Sequence, residues 1–431
     1  MRMKGSDIEK SYTEALEEAS AEDATFRAST YAKRSGTNLM MGRYDYAKAD
    51  ALASLTGTPA DWRAYFNAAK AAYGLYKYRE SRQLFESALA KNPTAPGLRK
   101  EYERCLARLH EETECDYDFP AMMASMSPQH VHLDHANFFG KTEVRQSPYH
   151  GQGLFAAQDI KTGELVVVEK ATVMPNQYIP ARASASLYAN MVRQLHDNPS
   201  LAETVLDLFG GDEHPRTGAE GTMVDGVPVV DIFAVEGIRL KNCFSCPVST
   251  LEETKPDSRT GDVQAKGLWR YASYLNHSCV PNTQRSFVGD IFILRACRDI
   301  AAGDELFQQY VPVRAGYDSR QERYAPWGFR CVCPLCAAEE RSPRERRDRR
   351  LDLLYEMEKY GHKRAARNSI VPDAAIRTME RMAKQLEAMH EPEIYDDMPR
   401  LMLIFSQMWL IRAYRASSRR ESGLPSGVPR G

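Results

Sequence analysis

Cys331-Val332-Cys333-Pro334-Leu335-Cys336 places three thiols within six residues, and Asn276-His277-Ser278-Cys279 holds another well upstream. Three thiolates leave a tetrahedral zinc one ligand short. Cys279 is the candidate for the fourth position, although sequence spacing cannot bring it there and only a fold can. Three crowded thiols in a turn gain little from packing and invite oxidation, which favours metal ligation over free thiols. Such a site holds its loop in place through metal-binding energy. Cys243-Phe-Ser-Cys246 is a second Cys-x-x-Cys pair, but it offers two ligands only and lacks the strand-helix context of a redox motif. Its thiols read as incidental, with a redox pair as the alternative.

The surrounding chain is ordinary in bulk. Its 431 residues imply two or three domains. A formal net charge of −1 argues against a globally basic nucleic-acid binder. No run of about 18 or more apolar residues exists, so no membrane span is expected. Residues 1–20 are charged and polar and lack the apolar stretch of a secretory signal. Nine cysteines, an odd number unevenly placed, point to an intracellular, reducing compartment, the nucleus or the cytoplasm.

Residues 31–112 carry a helical period. Tyr44, Ala47, Ala51, Leu55 and Pro59 are matched 34 residues later by Tyr78, Ser81, Phe85, Leu89 and Pro93. That is the period of a tetratricopeptide repeat, a helix-turn-helix unit that buries its face against the next; a generic helical bundle is the alternative. Small residues (Ala68, Ala69, Ala72, Ala88) stand where paired helices approach. Residues 1–30 form an N-terminal segment and 113–141 an aperiodic linker. His130, His132 and His135 form a tempting cluster in that linker, but as loop histidines they read as solvated.

From residue 142 to Tyr310 the pattern turns β-rich. Thr142-Glu-Val-Arg-Gln, Leu165-Val-Val-Val-Glu and Ile291-Phe-Ile-Leu-Arg read as strands. Gly151, Gly153, Gly163, Gly289 and Gly303 read as turns between them. A helical stretch at 183–209, a loop at 210–226 and a polar, mobile loop at 252–266 interrupt the strands. The region 341–420 is helical. Its basic start, 341–350, reads as the solvated beginning of an amphipathic helix; 397–416 carries an apolar face, and 421–431 reads as disordered.

Two further motifs carry chemistry. His150-Gly151-Gln152-Gly153-Leu154-Phe155-Ala156 sets two glycines beside a strand, which lets a backbone approach a bulky ligand; it lacks the third glycine and the helix of a dinucleotide fingerprint. Gly303-Asp304-Glu305-Leu306 is an acidic turn leading to Tyr310.

Together and in order, the glycine turn, the Asn-His-Ser-Cys box, the Gly-Asp-Glu-Leu turn ending at Tyr310 and the Cys-x-Cys-x-x-Cys group resemble a SET domain with its post-SET segment. The insertion and helical C-terminal region resemble the SMYD subgroup without its MYND module, and the repeats in front resemble fungal-type proteins that join tetratricopeptide repeats to SET. The resemblance implies an α+β chain: an all-α repeat array, a β-rich SET domain over 142–311 with an insertion at about 171–266, a zinc post-SET segment at 312–340 and C-terminal helices.

The same resemblance implies an S-adenosylmethionine-dependent protein-lysine methyltransferase. It makes Tyr310 the catalytic tyrosine. It assigns the cofactor to Gly151, Gln152, Gly153, Asn242, Asn276, His277 and Phe329, with Trp327 as a neighbour, and structural zinc to Cys279, Cys331, Cys333 and Cys336. The implied substrate is a lysine of a histone tail or of another protein, and the array offers a surface for a peptide or protein partner. Tyr271 and Tyr274, before the box, do not assure the aromatic that would tune the degree of methylation. The alternative is a SET-like interaction scaffold of weak or no activity. A DNA-binding zinc protein has only the basic stretch 341–350 behind it.

Overall fold

In the computed structural model, which describes residues 5–20, 23–55, 61–177, 179–212, 222–224, 227–247, 249–250, 265–311, 316–364, 371–396 and 398–421, the 34-residue period returns as geometry. Helices α1 (Gly5–Glu18), α2 (Ala24–Met41), α3 (Tyr44–Ala53), α4 (Trp62–Gly74), α5 (Tyr78–Lys91) and α6 (Leu98–Glu114) follow in order. Gly42 ends α2 in the left-handed region at φ 73°, and Tyr76, one period later, turns at φ 60°. Ser35 Oγ donates to the Ala47 carbonyl at 2.9 Å. One period on, Ser81 donates to the Ala69 carbonyl at 2.9 Å. The bond is kept while its donor changes helix, because both positions must stay small for the paired helices to approach. Helical packing begins before residue 31: α1 lies on α2. There the Arg34 fork grips Asp50 at 2.7 and 2.9 Å and also donates to Thr13 at 3.0 Å.

The stretch read as a linker is a packed cover. Strand β1 (Thr142–Gln146) pairs antiparallel with β2 (Gln152–Ala156), and β3 (Leu165–Lys170) enters a three-stranded antiparallel sheet described below. Val166, Val167 and Val168 are all fully buried. A continuous apolar run of this kind needs cover on both faces of its sheet. One face meets the main core. The other, with Val168, Ile291 and Ile293, packs on Tyr117, Met122, Leu133 and Phe138 from helix α7 (Phe119–Ser125) and the segment after it. The buried Asp290 carboxylate clasps this segment, accepting from the Leu133 N–H at 2.9 Å and the Lys170 ammonium at 2.6 Å. Two of the linker histidines also gain carboxylate partners that spacing did not show: His132 faces Asp290 at 3.2 Å and His135 faces Glu111 at 2.8 Å. His130 is exposed.

Beyond β3, helix α8 (Pro180–Asp197) buries Ala183, Leu187, Met191 and Leu195 at helical spacing. Asn198 after it ties this region to the array, accepting from the Tyr44 N–H at 2.7 Å and donating to the Gly42 carbonyl at 3.0 Å. Helix α9 (Ile232–Asn242) is capped by Asp231, which accepts from the Phe233 and Ala234 amides. Strands β4 (Phe244–Cys246) and β5 (Ala265–Gly267) pair next. The sheet is then completed by β6 (Thr283–Val288) and β7 (Ile291–Ala296), with β7 in the centre between β3 and β6. Four of the five glycines read as turns have positive φ; Gly153 instead lies inside β2. The loop at 252–266 lies outside the described residues except for its last two, as does most of 210–226 after Asp212.

Residues 277–281 and 307–431 form a second unit, apart from 1–276 with 282–306. Its helices α10 (Tyr317–Arg323) and α11 (Pro334–Arg341) flank the cysteine-rich segment. Helices α12 (Arg344–Arg364), α13 (Asp373–Ala388) and α14 (Ile404–Glu421) share an apolar core that includes Met357, Met379, Leu386 and Trp409. The basic stretch that opens α12 is solvated at Arg344, Arg346 and Arg349, as expected, but Arg350 is an anchor. Its guanidinium is buried and donates to Glu391 at 3.2 Å, Ser342 at 3.0 Å and Tyr395 at 2.6 Å. Spacing identifies a helix start; it does not identify which arginine turns inward. The reading of the last residues as disordered falls outside the described residues from 422 onward.

Glu169 at the end of β3 gives a pH signature. Its buried carboxylate accepts from the backbone amides of Tyr271 and Ala272, both at 2.8 Å, which fixes the turn leading to Asn276. Burial pushes its pKa up to about 7. The unfolded chain ionises this group near pH 4.3. Between those values the folded protein therefore holds a proton that the unfolded chain has lost, and stability falls as pH rises through the window, by on the order of 1–3 kcal/mol. Urea unfolding of Glu169→Gln at pH 5 and pH 8 is expected to show a smaller pH difference than the parent, whatever its absolute stability. An identical difference would refute the assignment.

Candidate cofactor and metal site

The first unit builds a braced glycine turn. The loop between β1 and β2 closes when Ser147 donates from its backbone N–H to the Gly151 carbonyl at 2.7 Å. Asn276 stands over this loop. Its side-chain amide donates to the Gln152 carbonyl at 3.1 Å, the His150 carbonyl at 3.3 Å and Glu305 Oε1 at 2.7 Å. The Ser147 hydroxyl donates to the other Glu305 oxygen at 2.9 Å. A Cβ at Gly153 would collide with the Glu305 carboxylate, so only glycine admits that approach. Glu305 is thus the acceptor that gathers Asn276, Ser147 and Gly153. The acidic turn was legible in sequence, but this task of Glu305 was not, because its partners lie far away in the chain.

Asn242 is engaged elsewhere. At the end of α9 its side-chain amide donates to the Phe209 carbonyl at 2.7 Å and the Ile238 carbonyl at 2.9 Å. It closes the helix C-terminus and fastens the preceding loop. Tyr274 donates its hydroxyl to Asp207 at 2.5 Å, and Tyr271 stacks on Phe139 at 4.1 Å between ring centroids. Cys246 is buried and Cys243 half-buried, both unbridged, and burial raises both thiols.

The second unit holds the rest. Cys279, Cys331, Cys333 and Cys336 bring their sulfurs within 4.8 Å of one another. A tetrahedral zinc with thiolate ligands sets its sulfurs about 3.8 Å apart. Cys279 lies 3.9 Å from Cys331 and 3.5 Å from Cys336, and none of the four is in a disulfide. This donor set fits zinc. The buried Arg320 guanidinium, ion-paired with Glu339, adds a positive field at Cys279 and Cys336. Gln321 on α10 clasps Cys331 through both backbone groups, each at 2.9 Å.

An aromatic group adjoins the sulfurs. The Tyr310 backbone N–H donates to His277 Nδ1 at 3.0 Å. That nitrogen must therefore present a lone pair, which puts the ring proton of neutral His277 on Nε2. Nε2 lies 3.5 Å from Cys279 Sγ. The Tyr310 ring centroid is 5.3 Å from Trp327 and 5.9 Å from Phe329, the latter edge-on. Phe329 stacks on Tyr324, with centroids 5.3 Å apart and planes at 12°. The Tyr324 ring also lies 4.4 Å from His277. Tyr310, His277, Trp327 and Phe329, named from sequence, therefore share one cluster. Tyr324 was missed because no spacing marks it; Gln321 and Arg320 were missed for the same reason.

Comparison with known proteins agrees with these parts. The SET domain family model matches residues 151–311. A "Methyltransferase" of Gibberella zeae is 30% identical over 340 residues, covering 72% of this chain and 46% of that protein. Human "Protein-lysine N-methyltransferase SMYD4" is 34% identical over 124 residues, 26% of this chain and 15% of that protein. "Histone-lysine N-methyltransferase set5" of Schizosaccharomyces pombe is 32% identical over 124 residues, 28% of this chain and 38% of that protein. The chain spans less than half the length of each of these relatives. A solved structure, the SET domain of LSMT bound to lysine and AdoHcy, aligns at 13% identity and a TM-score of 0.26, over 67% of this chain and 78% of that one; nothing rests on so loose a match. The region 151–311, which holds the braced glycine turn, the Asn-His-Ser-Cys box and Tyr310, thus matches the SET domain family.

Proposed function

We propose that the chain is an S-adenosylmethionine-dependent protein-lysine N-methyltransferase. The observation that carries this reading is the His277–Tyr310 pair: a neutral imidazole locked by the tyrosine's own backbone, with Phe329 beside the imidazole and Trp327 beside the tyrosine ring. S-adenosylmethionine supplies a methyl group already activated on a sulfonium. The protein's part is then to orient and to desolvate. Tyr310 would aim the lysine amine through its hydroxyl. The aromatic surround disfavours an ammonium and so lowers the amine's pKa, giving the neutral nucleophile. Phe329 offers a ring face to the adenine, and the backbone of Gly151, Gln152 and Gly153, braced by Asn276, offers peptide groups. Asn242, its amide committed to Phe209 and Ile238, retains only its oxygen for this purpose.

Zinc on the four cysteines would hold the segment that carries Phe329, two residues before Cys331. The substrate is a lysine of a protein; a histone tail is the first to try, given the name of the fission-yeast relative. The repeat-like array is the surface for a further peptide or protein partner. Among the described residues no helix is long and apolar enough to cross a membrane, and a nuclear or cytoplasmic setting suits the reduced cysteines.

Two measurements test the proposal. In a labelled-methyl transfer assay on histones and a peptide library, Tyr310→Phe is expected to lose about 10²–10³-fold in rate, the usual cost of one transition-state donor, with cofactor affinity kept. Undiminished transfer would remove Tyr310 from its role; no transfer by the parent and no cofactor heat in calorimetry would favour the scaffold. Metal analysis should find one zinc per chain, and Cys331→Ser should lose zinc and cofactor binding before the β3–β7–β6 sheet melts. Normal cofactor affinity in that variant would defeat the link.

A further inference from the structure

Tyr324 touches both the metal cluster and the aromatic group. Its hydroxyl lies 3.3 Å from Cys279 Sγ, and its ring lies flat on Phe329. The side chain is fully buried. We propose that Tyr324 is a positioning residue that ties the four-cysteine cluster to the Phe329 ring, so that the metal's hold on Cys279 sets where Phe329 lies.

The argument starts from charge. Four thiolates on one divalent cation leave a net negative charge in a buried place, and such sulfurs need donors. Cys279 has two at hand: His277 Nε2, which carries the ring proton, and the Tyr324 hydroxyl. Both donors also belong to the aromatic group. The His277 ring lies against Tyr324, and Tyr310 donates to the far side of His277. A phenylalanine at 324 would fill the same space and stack equally well. Only the hydroxyl explains a tyrosine here, since among the described residues Cys279 Sγ is the hydrogen-bond partner its oxygen has. Phe329 is then held twice, along the chain by Cys331 and across the ring face by Tyr324. Neighbours of this kind commonly change metal affinity 10- to 100-fold.

This inference rests on the methyltransferase reading only for what Phe329 binds, so its test uses readouts that need no cofactor as well as one that does. The full chain is loaded with Co²⁺ in place of zinc. A hydrogen bond lowers the energy of the sulfur lone pair, so its loss in Tyr324→Phe should move the thiolate-to-cobalt charge-transfer band to longer wavelength. Zinc release to a chelator should quicken about tenfold. Hydrogen exchange over residues 325–330 should rise in Tyr324→Phe, which keeps the ring but loses the tie to sulfur, and rise further in Tyr324→Leu and in the metal-free parent. S-adenosylhomocysteine affinity should fall in Tyr324→Phe and fall further, about tenfold, in Tyr324→Leu. An unmoved cobalt band with unchanged zinc release in Tyr324→Phe, a variant that preserves the packing, overturns the proposal. So does parent-like exchange over 325–330 in a folded Tyr324→Leu. A parent that binds no S-adenosylhomocysteine defeats the methyltransferase reading instead, while the cobalt band and the exchange still decide the role of Tyr324.

Discussion

Four cysteine sulfurs held within 4.8 Å of one another set the terms for the residues around them. Without a cation, such a cluster repels itself as soon as more than one thiol ionises; with one, it becomes a rigid post in a short, loop-rich segment. The surroundings read as answers to that charge. Arg320 is buried beside it with Glu339, Gln321 clasps the Cys331 backbone, and His277 and Tyr324 present donors to Cys279. The aromatic group of Tyr310, Trp327 and Phe329 is built from the same neighbours. The four sulfurs and the aromatic group thus share a scaffold, joined at Cys279 through His277 and Tyr324.

The first unit obeys a different constraint. Its central strand β7 is apolar on both faces, and so is β3 beside it. A sheet of that kind cannot leave either face to water. Helices α8 and α9 and the turn around Trp269 serve one face; the segment through Tyr117, Leu133 and Phe138 serves the other. That segment then runs on to the array, where the Glu111 carboxylate accepts from the Ala136 N–H at 2.8 Å. The repeats are thereby fastened to the sheet through their last helix. This arrangement also leaves the glycine turn and Asn276 on a firm base, with Glu169 fixing the turn before Asn276 and Glu305 receiving its amide.

Some of this was legible in advance and some was not. Periodic features translated directly. The 34-residue offset became matched turns at Gly42 and Tyr76, and the apolar runs became β3 and β7. Motif residues with local geometry also translated, as in Cys331, Cys333 and Cys336. The segment 113–141 did not, because its order comes from the sheet face that it covers and not from any period of its own. Asn242 was named for the cofactor on resemblance, yet its amide caps a helix, a use visible only once Phe209 is beside it.

The sequence by itself determined the repeat, the strands with two buried faces and three of the four clustered sulfurs. Each of these depends on residue type and on spacing along one element, and such spacing is a property of the chain. The tertiary structure alone decided that Cys279 joins the other three sulfurs, that Glu305 gathers Asn276 and Gly153, that Arg350 turns inward and that Tyr324 bridges sulfur and ring. Those are contacts between residues distant in sequence. Burial, which makes each of them strong, comes into being only when the chain has folded.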